Sequence, residues 1–261
     1  MRIVIIGTGN VAHVLGRKIQ DAGHDILQVA GRNEPAAVTL AAMFNCPFTV
    51  NWDYINLQAD LYIVAISDAA LENISTQLQL GKKLVVHTAG AVSKNVLKDV
   101  STNYGVLYPL QSIRKERITI PAIPFLTDAN TADDLTLIKD FAATLSDKVE
   151  VATDLERKKM HLAAVLVNNF TNHLYTLAAD YCKKESIDFG MLFPLIKETA
   201  DRIDNISPVI VQTGPAARGD KNTIKMHLQL LSTYPQLKIL YEIFTASIEA
   251  AGKNQVTNDL L

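Results

Sequence analysis

Hydrophobic and polar positions follow two different rhythms along this chain. In the first half, short runs rich in Val, Ile and Leu recur between amphipathic stretches. The runs predict strands at Arg2 to Ile6, Asp25 to Ala30, Leu61 to Ile66, Leu84 to His87 and Val106 to Tyr108. Between them the spacing predicts helices over Val11 to Ala22, Pro35 to Phe44, Ala70 to Leu78 and Ser93 to Val100. A further strand is expected to begin around Pro121 to Phe125. A helix should follow over Ala132 to Leu145, and a last strand near Lys148 to Val151. Strand and helix in alternation imply right-handed crossovers and a mostly parallel sheet buried on both faces. The expected fold class is α/β, a doubly wound Rossmann-type sheet.

After about Thr153 the strand runs stop. Helical patterns take over at Leu155 to Lys184, Phe189 to Ile203, Thr223 to Leu231 and Gln236 to Ala251. Asp154 is the expected cap of the first, and Gly252 the expected terminator of the last. The chain therefore divides into a sheet domain over residues 1–152 and an all-helical domain over residues 153–261, the second suited to substrate binding and dimerisation.

Composition acts mainly by exclusion. A hydrophobic share of 48% and a charged share of 20% over 261 residues suit a soluble globular protein with a substantial core. A net charge of -2 gives no reason to expect a nucleic-acid surface or a polybasic membrane anchor. No apolar run nears the roughly 18 residues that span a bilayer. Cys46 and Cys182 stand far apart, which favours free thiols in a reducing compartment, so a cytoplasmic location is expected. The histidines form no HxxxH or HExxH pair, and no metal is expected.

The candidate chemistry begins at Gly7-Thr8-Gly9-Asn10-Val11-Ala12, a GxGxxA pattern directly after one strand and directly before a helix. Gly7 permits the tight turn, Gly9 lets the backbone approach a pyrophosphate, and Ala12 keeps the helix close to the sheet. The helix N-terminus then offers unpaired N–H groups to phosphates. NAD pockets place a carboxylate at the end of the second strand, where it accepts from the ribose 2′-OH. Here that position reads Gly31-Arg32-Asn33. Gly31 makes room, Arg32 can grip a 2′-phosphate bidentately, and Asn33 can donate a further bond. The alternative for Arg32 is an ordinary solvated side chain. The preferred cofactor is NADP(H).

These stretches carry a resemblance. IVIIGTGNVA, VAGRN, IVAISDAAL at Ile63 to Leu71, VVHTAGAVS at Val85 to Ser93 and VLYPLQSI at Val106 to Ile113 are similar to the first domain of the deazaflavin (coenzyme F420)-dependent NADP oxidoreductase and pyrroline-5-carboxylate reductase group. KKMHLAAVLVNNF at Lys158 to Phe170 and TGPAARGD at Thr213 to Asp220 resemble a narrower set with a helical C-terminal domain of unassigned function. The resemblance implies a Rossmann-like domain, an NADP cofactor and oxidoreductase activity more firmly than it implies a substrate.

Ligands of open α/β sheets lie beyond the carboxyl ends of the strands. Ala65, Ile66 and Ser67 would run beside the nicotinamide ribose, while Thr88, Ala89 and Gly90 allow close approach to the carboxamide. His87 reads either as a hydrogen-bonded core group or as a cofactor-facing proton donor. Helical periodicity puts Ala163, Leu166, Phe170, Leu174, Leu177 and Tyr181 on one face of the long helix. His161, Asn168, Asn172 and Tyr175 fall on the other, with Lys158 at its edge. In related hydroxyacid dehydrogenases this helix supplies substrate-engaging groups, which makes His161, Asn168 and Lys158 the candidates here. Arg218 is expected to hold an anionic part of the substrate, and Asp220 to cap a helix. The functional expectation is an NADP(H)-dependent oxidoreductase, a homodimer acting on a small carbonyl or imine compound or on the deazaflavin. The alternative is a non-catalytic NADP-binding redox sensor.

Overall fold

The protein is described here by a computed structural model covering residues 1–117 and 119–258. It contains two compact units, the first spanning Met1–Thr171 and the second beginning at Asn172. In the first, β1 (Arg2–Ile6), α1 (Asn10–Asp21), β2 (Asp25–Ala30), α2 (Glu34–Phe44) and β3 (Phe48–Thr49) follow one another. Next come β4 (Leu61–Val64), α3 (Asp68–Leu71), β5 (Gly81–His87) and β6 (Ser101–Pro109). The unit's sheet ends with β7 (Phe125–Ala129), α4 (Ala132–Leu145) and β8 (Val149–Val151).

The eight strands form one sheet in the order β3-β2-β1-β4-β5-β6-β7-β8. All neighbouring pairs are parallel except β6 with β7. The expected doubly wound, mostly parallel architecture is therefore observed. β1 explains why the sheet is buried on both sides. Ile3 and Ile5 point into a core shared with Leu15, Ile19 and Leu40. Val4 and Ile6 point into a second core with Tyr62, Leu71 and Leu97. Period-two alternation thus reads apolar on both faces, as a crossover sheet requires. Ile6 pairs with both Ala30 and Val64, so the carboxyl ends of β1, β2 and β4 lie level where the strand order reverses. Ligands of such sheets bind at that reversal.

Two expected helices are shorter in the structure. Ala70 to Leu78 resolves into α3 and a 3₁₀ turn at Ile74–Thr76, and Ser93 to Val100 keeps only a 3₁₀ turn at Lys94–Leu97. In both, polar side chains bond the nearby backbone, Thr76 in competition with a longer helix and Ser93 as the cap of its short turn. Thr76 donates to the Asn73 carbonyl at 2.8 Å, and Ser93 accepts from the Asn95 amide at 3.2 Å. The two-residue β3 is too short to leave a periodic signature.

α5 (Asp154–Ala164) starts with a capping box in which Thr153 accepts from the Glu156 amide and the Glu156 carboxylate accepts from Thr153. Thr153, not Asp154, is therefore the cap, and the Asp154 side chain is spent elsewhere. A π-helical segment at Val165–Phe170 follows. The sheet ends near the expected boundary at residue 152, but the compact unit carries α5 and the π segment with it to Thr171.

From its second residue on, α6 (Thr171–Lys184) belongs to the second unit, which also holds α7 (Phe193–Arg202), α8 (Pro215–Arg218), α9 (Lys221–Leu230) and α10 (Pro235–Asn258). Asp220 caps α9 as expected, accepting from the Thr223 amide at 3.0 Å. Gly252 does not end the last helix, which continues to Asn258. A glycine inside a helix costs only about 1 kcal/mol. Among the described residues, no helix is long and apolar enough to cross a membrane.

Candidate functional site

A groove of about 1010 Å³ opens at the β1–β4 reversal. Gly7 makes its floor possible: φ is +125°, and a Cβ there would lie 2.1 Å from the Ala65 carbonyl oxygen. Gly9 precedes α1 and gives it no side-chain cap, and no acidic residue stands in the first turn. The first N–H groups of α1 are thus left for an anion, alongside Thr8, Asn10 and Val11 on the groove wall. This cradle fits a pyrophosphate. Ala12 does not line the groove. It is fully buried in the core, where it plays the packing role its position implies.

At the β2 end, Gly31, Arg32 and Asn33 all line the groove. A Cβ on Gly31 would sit 2.6 Å from Thr8 Cγ2, so glycine lets the two loops meet. Arg32 is exposed and has no hydrogen bond or ion pair to another described residue. Asn33 caps α2, its Oδ1 accepting from the Ala36 amide at 3.0 Å, which leaves its side-chain N–H groups for a ligand. Trp52, from the 3₁₀ turn after β3, closes the same end and offers a ring for a base to stack on.

The far end is built by the turns after β4 and β5. Ala65, Ile66 and Ser67 come from the first, and Thr88, Ala89 and Gly90 from the second. There His161 of α5 reaches the groove. Its Nδ1 lies 3.0 Å from the Tyr108 hydroxyl, with the rings meeting edge to face. Gly90 makes the pair possible, since a Cβ would lie 2.6 Å from His161 Nδ1 and 2.9 Å from Tyr108 Cζ. Burial pushes the Tyr108 phenol up, against the Arg157 charge and with Asp68. The hydroxyl stays protonated, and where it donates to Nδ1 the ring proton of the neutral imidazole sits on Nε2. No other described residue bonds to Nε2.

His161 and Gln111 also line a second cavity, of about 530 Å³, whose wall includes Tyr108. Its outer wall includes Val165, Val167, Asn168 and Asn169 from the end of α5 and the π segment. A π turn holds more residues than an α turn, so the phase advances less per residue through this stretch. Helical spacing put Asn168 on the polar face of the long helix; the π segment brings Asn169 to the cavity beside it. The predicted apolar face also fails locally, because Leu166 and Phe170 are exposed. Lys158 is exposed and lines neither cavity. Both cavities are lined by first-unit residues alone, and Arg218, exposed at the end of α8, is not among them.

His87 is a correction. It is fully buried behind the groove wall, with Nδ1 accepting from the Ala89 amide at 3.1 Å and Nε2 without a protein partner. Burial and the Arg157 charge push its pKa down to about 4, outweighing the Ser93 backbone and Asp154. It is a neutral support for the turn bearing Thr88, Ala89 and Gly90, and not a cofactor-facing donor.

Arg157 was not found in the sequence analysis. It is 0% exposed and donates to the Val92 carbonyl and to Asp154 Oδ1 at 2.7 Å. Asp154 also accepts from Ser93 Oγ and from the Lys94 amide at 3.1 Å. Burial pushes the Asp154 carboxyl up, but these bonds and the guanidinium charge win and hold it at about 2. Arg157 falls one turn before His161, a spacing that could have flagged it. An arginine in a helix start more often reads as solvated. Trp52 had one signal, being the only tryptophan of the chain.

Residues 2–90 match the profile of the coenzyme F420-dependent NADP oxidoreductases, and residues 123–248 match a domain of unknown function, DUF2520. A solved protein from Bacteroides fragilis, provisionally named an NADP oxidoreductase, is 39% identical with a TM-score of 0.87, over 95% of this chain and 98% of its own. The 1-pyrroline-5-carboxylate reductase of Streptococcus pyogenes shares the fold at 15% identity and a TM-score of 0.64, over 96% and 98% of the two chains. An imine reductase from Myxococcus stipitatus, solved with NADP+, shares it at 13% identity and 0.66, over 99% and 95%. A search of curated proteins returned no significant match.

The buried histidine makes stability pH-dependent. The unfolded chain protonates His87 near 6.5, the folded chain only near 4. Stability should therefore fall as pH drops through this window, by on the order of 3 kcal/mol from this group. Urea unfolding from pH 7 to 4 should show the slope, and His87→Gln should flatten it. Asp154 acts lower, its contribution being lost as pH falls from the ordinary 3.8 toward 2. An identical slope in the variant would contradict the assignment.

Proposed function

Because the chain belongs to the NADP oxidoreductase family that joins an N-terminal domain of the coenzyme F420-dependent type to DUF2520, we propose that it is an NADP(H)-dependent reductase of a small carbonyl or imine compound. The observation that carries this reading is one groove with two chemically distinct ends. Arg32 stands at one end, where a dinucleotide's adenosine phosphate would lie. His161, oriented by Tyr108, stands at the other.

When bound, NADPH supplies a hydride to the acceptor carbon. The chain's own residues do the rest. The α1 N-terminus and Thr8 hold the pyrophosphate, and Arg32 with Asn33 grips the 2′-phosphate. Asn168 is placed to orient the acceptor. His161 donates from Nε2 to the oxygen or nitrogen on which charge develops, and Tyr108 fixes the tautomer that makes this possible. Names of the structural relatives support the acceptor class: two are reductases of C=N compounds.

The second unit buries few apolar side chains, among them Cys182, Ile224 and Leu231. Met191, Phe193, Leu195, Ile210, Ile239 and Ile243 are all more than half exposed. Patches of this kind mark interfaces, and a second copy of the chain is the proposed cover.

Arg32→Glu should weaken NADPH binding by tenfold or more, on the scale of about 1.5–3 kcal/mol per charge-assisted bond, and spare NADH. Equal NADPH affinity and preference in the variant would refute the phosphate site. His161→Ala should lower turnover by about a hundredfold or more while leaving NADPH affinity intact; undiminished turnover would remove the donor. A panel of imines, ketones, ketoacids and F420 under NADPH consumption identifies the acceptor. Binding without consumption of any would favour the redox sensor. Light scattering should give twice the 28.6 kDa chain mass, and a monomer at micromolar concentration would count against the dimer.

A further inference from the structure

The Tyr108–His161 pair joins two cavities. His161 lines both the groove and the second cavity, whereas Tyr108 lines only the second of them. The hydroxyl and Nδ1 are 3.0 Å apart, and no other described residue bonds to either of these side chains' polar atoms. Water reaches the second cavity, since Met160, Ala163, Val167, Asn168 and Asn169 on its wall are exposed. Two charged groups act on the phenol, Arg157 favouring its ionised form and Asp68 opposing it.

A neutral imidazole is a poor acid by itself. Loss of its Nε2 proton would leave an imidazolate, a far stronger base than a phenolate. His161 can therefore donate in two ways. It can act as an imidazolium, at a pH low enough to charge the ring. It can also act as a neutral ring, provided Nδ1 takes a proton while Nε2 gives one. We infer that Tyr108 is a relay residue, whose phenolic proton moves to Nδ1 of His161 as the Nε2 proton moves to the acceptor. The inference rests on the reductase reading and adds to it the source of the proton. Hydride from NADPH forms the new C–H bond, and the π pair of C=O or C=N moves to the heteroatom. The heteroatom takes the Nε2 proton, Nδ1 takes the phenolic proton, and Tyr108 is left as a phenolate. Water in the second cavity hydrates that phenolate. Once product leaves, water in the groove reprotonates Nε2 while Nδ1 returns its proton to the phenolate, which restores both side chains.

Nitrogen-15 NMR of the free full chain, with labelled histidine and His161→Ala to assign the signals, tests the starting state without turnover. At about pH 9, where histidines are generally neutral, the His161 proton should be on Nε2. The Nδ1 resonance should move in Tyr108→Phe. A ring protonated on Nδ1, or an Nδ1 signal indifferent to the substitution, would overturn the relay. Turnover of the unaltered chain and of Tyr108→Phe is then compared at saturating NADPH, with the best acceptor of the panel above. In the variant only the imidazolium can donate. The ratio of the two rates should therefore grow as pH rises from about 6 to about 9, reaching about tenfold or more. A ratio constant with pH is what a merely orienting tyrosine would give, and it would overturn the relay while leaving the reductase reading intact. Should no acceptor consume NADPH, the reductase reading fails and the relay fails with it.

Discussion

A guanidinium with no access to solvent is the constraint on which the site depends. A buried charge is tolerated only when it is paired and hydrogen-bonded, so Arg157 dictates what surrounds it. It takes Asp154 from its own helix and the Val92 carbonyl from the turn beyond β5. Asp154, drawn inward, in turn takes Ser93 and the Lys94 amide from that same turn. Lys94 adds a second tie, its Nζ lying 2.8 Å from both oxygens of Asp128 on β7. The result fixes the first turns of α5 against the loop that carries Thr88, Ala89 and Gly90. His161, one turn further along α5, then has no choice but to arrive over Gly90 and meet Tyr108.

The same charge explains the histidine. Next to a guanidinium and away from water, His87 stays neutral and cannot compete for Asp154. Nε2 of His87 and Nε and Nη1 of Arg157 are the buried side-chain polar atoms without partners among the described residues. Such atoms are uncommon in folded proteins, and their gathering in one place shows where polar groups were packed for position more than for stability. That place lies behind the turn that carries Thr88, Ala89 and Gly90.

Sheet and helix divide the work. The sheet supplies a level edge at the β1–β4 reversal, and the turns after β1, β4 and β5 line the groove there. One end of the groove is built by short segments at the edge, the Gly31-Arg32-Asn33 end of β2 and the Trp52 turn. The other end receives His161 from α5, which is not part of the sheet at all. Where α5 loosens into the π segment, Val165–Phe170, it opens the wall of a separate, uncharged cavity. π turns inside helices often occur at functional sites for this reason: an added residue per turn re-aims the side chains that follow.

Local pattern alone determined every strand of the sheet but β3, the glycine loop with its helix, and the Gly31-Arg32-Asn33 end of β2. These features follow from interactions between residues close in sequence: period-two apolar runs, a turn that needs glycine, a helix start left without a side-chain cap. Tertiary structure alone decided that His87 faces inward, that Thr153 caps α5 so that Asp154 is free for Arg157, and that Tyr108 orients His161 across 53 positions of chain. It also decided that Asn169 shares the cavity wall with Asn168. Each of these depends on partners brought together by folding, or on a helix leaving its ideal turn, and periodicity counts positions along one element without registering either.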